Sequence, residues 1–310
     1  MSQDAKAPPA ADAASLPRPP RPEDLPEGLR LVLAPNPSPL TGPGTNTFLL
    51  GTDEIAVIDP GPDLPAHRAA ILAAAGRGRI THIFVTHAHR DHSEGVPALA
   101  EATGAEVLGF GDALAGRSAV MQRLAAEGGA GGGEGLDLSF RPDRQLADGE
   151  TITRDEWSLT AHHTPGHAGN HLCFAWGDVT FSGDVVMGWS TTLISPPDGD
   201  LADYFRSLDR LTALAPARLF PAHGPAIDAP LPRLAELAAH RRQRTAQILA
   251  ALRDGAPADA ATLAARIYDV PPQLLPAATR NVFAHLVALS TLGAARPEGE
   301  ITWQTRFSAD

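Results

Sequence analysis

The stretch Thr86-His87-Ala88-His89-Arg90-Asp91-His92 decides how this chain folds. Three histidines and one aspartate fall together, directly after the apolar run Ile80 to Val85, which predicts a buried strand. His87 and His89 are two apart, so an extended backbone turns both rings to one side. Asp91 and His92 follow on the turn. This set of nitrogen and oxygen donors suits zinc or a similar divalent ion. A polar loop rich in histidine by chance is the alternative. Four ligand-type residues in this order after an apolar strand argue against it, even in a chain with twelve histidines.

Three later stretches also follow strand-like runs: His163-Thr164-Pro165-Gly166-His167, Phe181-Ser182-Gly183-Asp184 and Pro221-Ala222-His223-Gly224. With the first stretch they resemble, in order, the ligand stations of the metallo-β-lactamase superfamily. The resemblance implies an α/β fold, a four-layer αββα sandwich. It implies that His87, His89 and His167 hold one metal, that Asp91, His92 and His223 hold a second, and that Asp184 bridges them. Zinc is the default for the two divalent ions, with manganese and iron as alternatives. The implied chemistry is attack of a metal-bound hydroxide on a carbonyl or phosphorus, with Asp91 as a proton acceptor. Two departures narrow the branch. Asp184 stands near where some antibiotic-hydrolysing members carry a cysteine ligand, and His89 stands where di-iron flavoprotein relatives carry glutamate. What remains resembles glyoxalase II-like thioesterases, nucleases and lactonases.

Further residues are candidates for supporting the site. Asp59 ends a strand and either caps the next turn or orients a ligand histidine. His171 and Asn170 follow His167 and are candidates to face substrate. Tyr204, on the helix after the Asp184 loop, is either a core residue or a substrate donor. Trp189-Ser190-Thr191-Thr192 is placed to line a pocket. His162 and His163 read as supporting or solvent-facing residues, and Arg90 as half of a salt bridge. Cys173, the single cysteine, excludes a disulfide framework and reads as a buried thiol.

Punctuation by Gly, Pro and Asp divides the chain. Residues 1–26, rich in Ala and Pro, read as a disordered tail. Residues 27–228 form the catalytic domain. Within it, helices are expected over 64–75, 96–103, 112–127 (capped by Asp112) and 203–214, and a strand over 151–162. Residues 128–135 hold six glycines and read as a flexible connection or a flap. Residues 229–310 show three helical segments and then a hairpin over 294–303, which resembles a winged-helix module. Such a module, with the Arg280-to-Leu286 and His240-Arg241-Arg242 runs, resembles the β-lactamase-like protein 2 branch.

The 310 residues carry a formal charge of −11. Residues 229–310 hold nine arginines against seven acidic residues, so the negative charge lies in the first 228. Such a surface disfavours a long polyanion. No run of about 18 apolar residues and no secretory pattern is present, which predicts no membrane partner and a cytoplasmic protein. The expectation is a binuclear metal-dependent hydrolase of a small thioester or ester, of the hydroxyacylglutathione hydrolase type. A single-strand endoribonuclease, with RNA as partner, is the alternative, and a non-catalytic winged-helix regulator is a third reading. Sulfur dioxygenase chemistry on one iron is an outlier. A homodimer stays open.

Overall fold

The computed structural model describes residues 17–127, 135–272 and 275–310. Two sheets face each other. The first runs in the order β1 (Leu29–Leu33), β2 (Asn46–Leu50), β3 (Glu54–Ile58), β4 (Arg79–Phe84), β5 (Glu106–Gly109) and β6 (Arg144–Gln145). The second runs β11 (Arg218–Pro221), β10 (Val179–Gly183), β9 (Leu172–Trp176), β8 (Ser158–His163) and β7 (Thr151–Thr153). β3, β4, β5 and β6 are parallel, as are β10 and β11; the other neighbours are antiparallel.

The period-2 alternation of the strands makes the layers. In β2, Phe48 and Leu50 enter the core between the sheets while Leu49 faces outward. Phe48 meets Phe181 at 5.1 Å, and Phe84 meets Phe174 at 5.2 Å, ring centre to ring centre. Outside the first sheet, Ile55, Val57 and Ile83 pack on α1 (Pro65–Ala75) and α3 (Val96–Thr103) through Ile71 and Leu99. Outside the second, Cys173 and Leu219 pack on α5 (Leu201–Leu214) and α6 (Pro230–Arg253) through Leu208, Leu211, Leu234 and Leu237. The order is therefore α, β, β, α, as expected, and Cys173 is the buried thiol its apolar run predicts.

A separate core joins the C-terminal helices α6, α7 (Ala260–Ile267) and α8 (Leu275–Thr291) to a hairpin of β12 (Ala295–Pro297) and β13 (Phe307–Ala309). This is the order of a winged helix. The boundary at 229 needs refining. The first turns of α6 pack on the catalytic domain through Leu234 and Leu237, and its last turns enter the C-terminal core through Ile248 and Leu252. Met121 and Leu124 of α4 (Ala119–Ala126) also enter that second core.

Four expectations are corrected. Residues 17–26 are not a disordered tail: Pro22–Asp24 form a 3-10 turn, Leu25 packs on the inter-sheet core, and Arg218 donates to the Asp24 carbonyl. The helix expected from Asp112 starts at Ala119, capped by Ser118, because Gly116 breaks it with φ of 74°. The strand over 151–162 is a hairpin, β7 and β8, since Arg154-Asp155-Glu156 makes a turn closed by Arg154 N to Trp157 O. The wing's second strand lies at 307–309, beyond the expected 303. The tail's first 16 residues and most of the glycine-rich connection lie outside the described residues. Among the described residues, no helix is long and apolar enough to cross a membrane.

Candidate metal centre

The expected residues converge where the strands end, at the carboxyl edges of β4, β10 and β11, the usual place for a site in such sheets. His87 and His89 follow β4, and the short helix α2 (Arg90–Ser93) presents Asp91 and His92. The loop after β8 carries His167, Asp184 follows β10, and His223 follows β11. His223 is held in place by β2: Asn46 N donates to Ala222 O at 2.7 Å, and Asn46 Nδ2 reaches Pro221 O and Gly224 O, both at 3.0 Å.

Two sets of candidate ligands result. His89 Nδ1 lies 2.9 Å from His87 Nε2 and 3.0 Å from His167 Nε2. Asp91 Oδ2 lies 3.2 Å from His223 Nε2 and 3.6 Å from His92 Nε2. Asp184 joins them: Oδ2 is 3.7 Å from His167 Nε2 and 3.6 Å from His92 Nε2, and Oδ1 is 3.5 Å from His223 Nε2. A tetrahedral zinc with bonds of about 2.1 Å spaces its ligand nitrogens about 3.4 Å apart, so the spacing is close to that of a coordination shell.

The electrostatics fit two cations. Burial is the largest effect on His87 and His89; with the neighbouring imidazoles it keeps both neutral, His89 down to about 3. Neutral imidazole is the form that binds metal. Burial opposes charge on His92 as well, but Asp91, Asp184 and Asp59 outweigh it and raise its pKa. His223 is raised to about 9 because Asp184 and Asp91 outweigh its burial. Burial likewise opposes charge on Asp91 and Asp184, yet the facing imidazoles hold both below the usual carboxylate range. His92 Nε2 and Asp184 Oδ1 are buried without a hydrogen-bond partner. Such atoms are costly unless something coordinates them. The donor set therefore fits a pair of divalent ions.

The outer nitrogens of His92, His167 and His223 are anchored. His92 Nδ1 lies 3.0 Å from Asp59 Oδ2, and that carboxylate also accepts from Thr86 N and Thr86 Oγ1, both at 2.8 Å. His167 Nδ1 donates to Leu193 O at 2.8 Å, and His223 Nδ1 to Gly44 O at 3.1 Å. His171 does not face the cavity. Its Nε2 accepts from Asp184 N at 3.1 Å, which assigns the proton to Nδ1 and aims it at Thr164 Oγ1. It fixes the backbone of Asp184. Gly183 is required there: its φ is 49°, and a Cβ would collide with the His171 ring.

A cavity of about 520 Å³, counting its open mouth, lies over the ligands. Its other walls are Pro39, Leu40, Met187, Ser190, Thr191 and Leu193. Tyr204 is not among them. It is fully buried in the core between α5 and α6, which removes it as a substrate donor. Of the 189–192 stretch, Ser190 and Thr191 line the cavity. Trp189 packs on Gly224, and Thr192 turns its hydroxyl to the Asp184 and Val185 carbonyls. Asn170 is buried and bonded to Asp112 O, His163 stacks on Phe110, His162 meets Arg210, and Arg90 pairs with Glu94. Pro39, Leu40 and Met187 were not legible as site residues, since they read only as loop. The Leu193 and Gly44 carbonyls carry no side-chain signal at all.

Comparison with known proteins agrees with the geometry. Residues 40–223 match the family described as Metallo-beta-lactamase superfamily, and residues 260–303 match the Beta-lactamase associated winged helix domain. A beta-lactamase-like protein 2 homolog of Drosophila melanogaster is 32% identical, covering 86% of this chain and 88% of its own. An atrochrysone carboxyl ACP thioesterase of Aspergillus fumigatus is 29% identical, over 79% of this chain and 71% of its own. The crystal structure of a metallo-beta-lactamase family protein from Thermus thermophilus is 27% identical, with a TM-score of 0.72, covering 91% of this chain and 99% of that one. With its ligand stations, its layers and its C-terminal module all in place, the chain belongs to the metallo-beta-lactamase superfamily and is a hydrolytic enzyme with a metal-binding site.

Proposed function

We propose that this protein is a binuclear metal-dependent hydrolase of acyl thioesters and related esters, with an apolar acyl group. The observation that carries this reading is the cavity: five of the seven candidate ligands, His89, Asp91, His167, Asp184 and His223, line it, and the other lining residues are mostly apolar. When bound, two divalent ions supply an activated water and polarise the carbonyl oxygen of the scissile bond.

The chain's own residues supply the rest. Pro39, Leu40, Met187 and Leu193 give an acyl group a dry wall, and Leu40 is 60% exposed, free to be covered by it. Ser190 and Thr191 offer the polar contacts that would orient the ester. Asp91 faces the cavity and is ionised, so it can hold a proton in transit. Held so low, it is rarely protonated at neutral pH and so rarely has a proton to give a leaving group. A thiolate, with a thiol pKa near about 8.5, departs without one, whereas an amine needs a proton. Among the described residues that line the cavity there is no lysine or arginine. That disfavours a phosphodiester chain and gives no cation to the carboxylates of a glutathione thioester. The thioesterase among the relatives supports the same reading.

The test is a three-way turnover assay on zinc-loaded protein, with Asp91→Ala as control. One arm offers a medium-chain acyl thioester of a small neutral thiol, the second a hydroxyacylglutathione, the third a labelled single-stranded RNA. The expected result is preferential cleavage of the first, falling roughly 100-fold or more in the control. RNA cleavage that vanishes in the control, with both thioesters intact, would overturn the reading.

A further inference from the structure

Two arginines on one face of α6, two turns apart, reach back into the catalytic domain. Arg233 donates through Nε to Met187 O at 2.9 Å and through its terminal nitrogen to Ser190 O at 2.6 Å. Arg241 donates to Thr192 O and, at 3.1 Å, to Oδ1 of Asn281 on α8. Asn281 in turn donates to the Tyr268 hydroxyl at 2.8 Å. All three carbonyls belong to the stretch 187–192, which is neither helix nor strand. Arginines satisfy backbone acceptors that no ladder satisfies.

That stretch has two duties. Met187, Ser190, Thr191 and Leu193 form a wall of the cavity. Thr192 Oγ1 lies 2.9 Å from both Asp184 O and Val185 O, and the next carbonyl, Leu193 O, accepts from His167 Nδ1. Arg241 thus grips the residue whose hydroxyl secures Asp184 and whose neighbour sets the tautomer of His167. Arg241 is 4% exposed, and its described partners are the Thr192 carbonyl, Asn281 and the face of Tyr204; none is a carboxylate. A buried cation held without a counter-ion is a poor choice for stability alone, where an apolar side chain of similar length does as well or better.

We infer that Arg241 is a positioning residue through which the C-terminal module, by way of Asn281, sets the geometry of His167 and Asp184, while Arg233 holds the substrate wall of the same stretch. The inference rests on the metallohydrolase reading above, and the two can fail separately. It divides the effects: Arg241 acts on metal affinity and kcat, Arg233 on KM.

The experiment compares Arg241→Met, Arg241→Lys, Asn281→Ala and Arg233→Met in the full-length protein. Three quantities are read: the dissociation constant of each zinc ion by chelator competition, kcat and KM on the thioester, and the His167 ring tautomer by nitrogen–proton correlation in metal-free protein. Arg241→Met is expected to weaken zinc binding by roughly 10- to 100-fold and to lose the Nδ1–H form of His167. Arg241→Lys should recover part of it, and Asn281→Ala should show a smaller loss in the same direction. Arg233→Met should raise KM with zinc affinity unchanged. Wild-type zinc affinity and an unchanged His167 tautomer in Arg241→Met would overturn the inference. So would losses that merely track a fall in melting temperature. If Arg241→Met does not fold, Asn281→Ala decides: zinc affinity and tautomer as in the wild type would overturn the link to the C-terminal module. A protein that hydrolyses no thioester yet shows these shifts would sink the substrate reading and leave the positioning role standing.

Discussion

Asp59 is where one side chain governs a ligand it never shares a segment with. Its φ of 51° is a left-handed conformation that Asp and Asn tolerate better than other residues. That bend aims the carboxylate at three donors: Thr86 N, Thr86 Oγ1 and His92 Nδ1. Accepting from Nδ1 keeps the His92 Nε2 lone pair free for the metal. Asp59→Asn tolerates the same backbone but can present an amide donor to Nδ1, which forces the proton onto Nε2. The expected outcome is loss of zinc affinity by roughly 10- to 100-fold at the set of Asp91, His92 and His223, with the fold intact. Chelator competition on the variant measures it, and two ions bound as tightly as in the wild type would refute the role. Residue identity made the candidate ligands legible, because few other jobs ask for His-x-His-x-Asp-His after an apolar strand. It could not choose between a turn cap and an orienting carboxylate for Asp59, since both use the same atoms. The tautomer anchors at Leu193 and Gly44 were invisible, because any residue supplies a carbonyl.

At the scale of elements, α4 shows where a sequence pattern stops informing. Met121 and Leu124 lie three apart, the spacing of one helix face, so their burial was legible. The stripe does not say which core receives it. Both side chains enter the core built by α6, α7 and α8, so a helix of the catalytic domain forms part of the C-terminal module. Met121 is fully buried. Met121→Ala should cost about 2–5 kcal/mol, read as a fall in the urea midpoint. A loss under about 1 kcal/mol would mean that α4 only leans on the second core. The helices expected over 64–75 and 96–103 match to within a residue, because Gly76 and Gly104 terminate them. The start of α4 was missed because Gly116 lies inside the expected helix, and Ser118 caps as well as Asp112 would.

Across the whole molecule, the sandwich and the winged helix are bound together by α6, whose two ends lie in two cores and whose arginines grip the cavity wall. At this junction sits His285 of α8, fully buried, with Nδ1 2.9 Å from Thr245 Oγ1 on α6. Burial is the main cause that pushes its pKa down to about 3, and Arg241, Arg244 and His240 on α6 push the same way. In the unfolded chain the same ring titrates near about 6.5. The folded state therefore keeps His285 neutral at a pH where the unfolded state takes up a proton. Its contribution is fully present above about 6.5 and is lost as the pH falls from there toward the folded value. Each pH unit in that window costs up to about 1.4 kcal/mol. The ligand histidines and carboxylates also respond to acid, so the measurement must isolate this one ring. His285→Gln keeps a partner for Thr245 and removes the titration. Urea midpoints of both proteins between about pH 7.5 and about pH 5 should show the wild type losing its advantage as the pH falls. A difference that stays constant with pH would mean that the ring is hydrated or repacked in solution, and that the junction between the two modules is looser than its buried histidine implies.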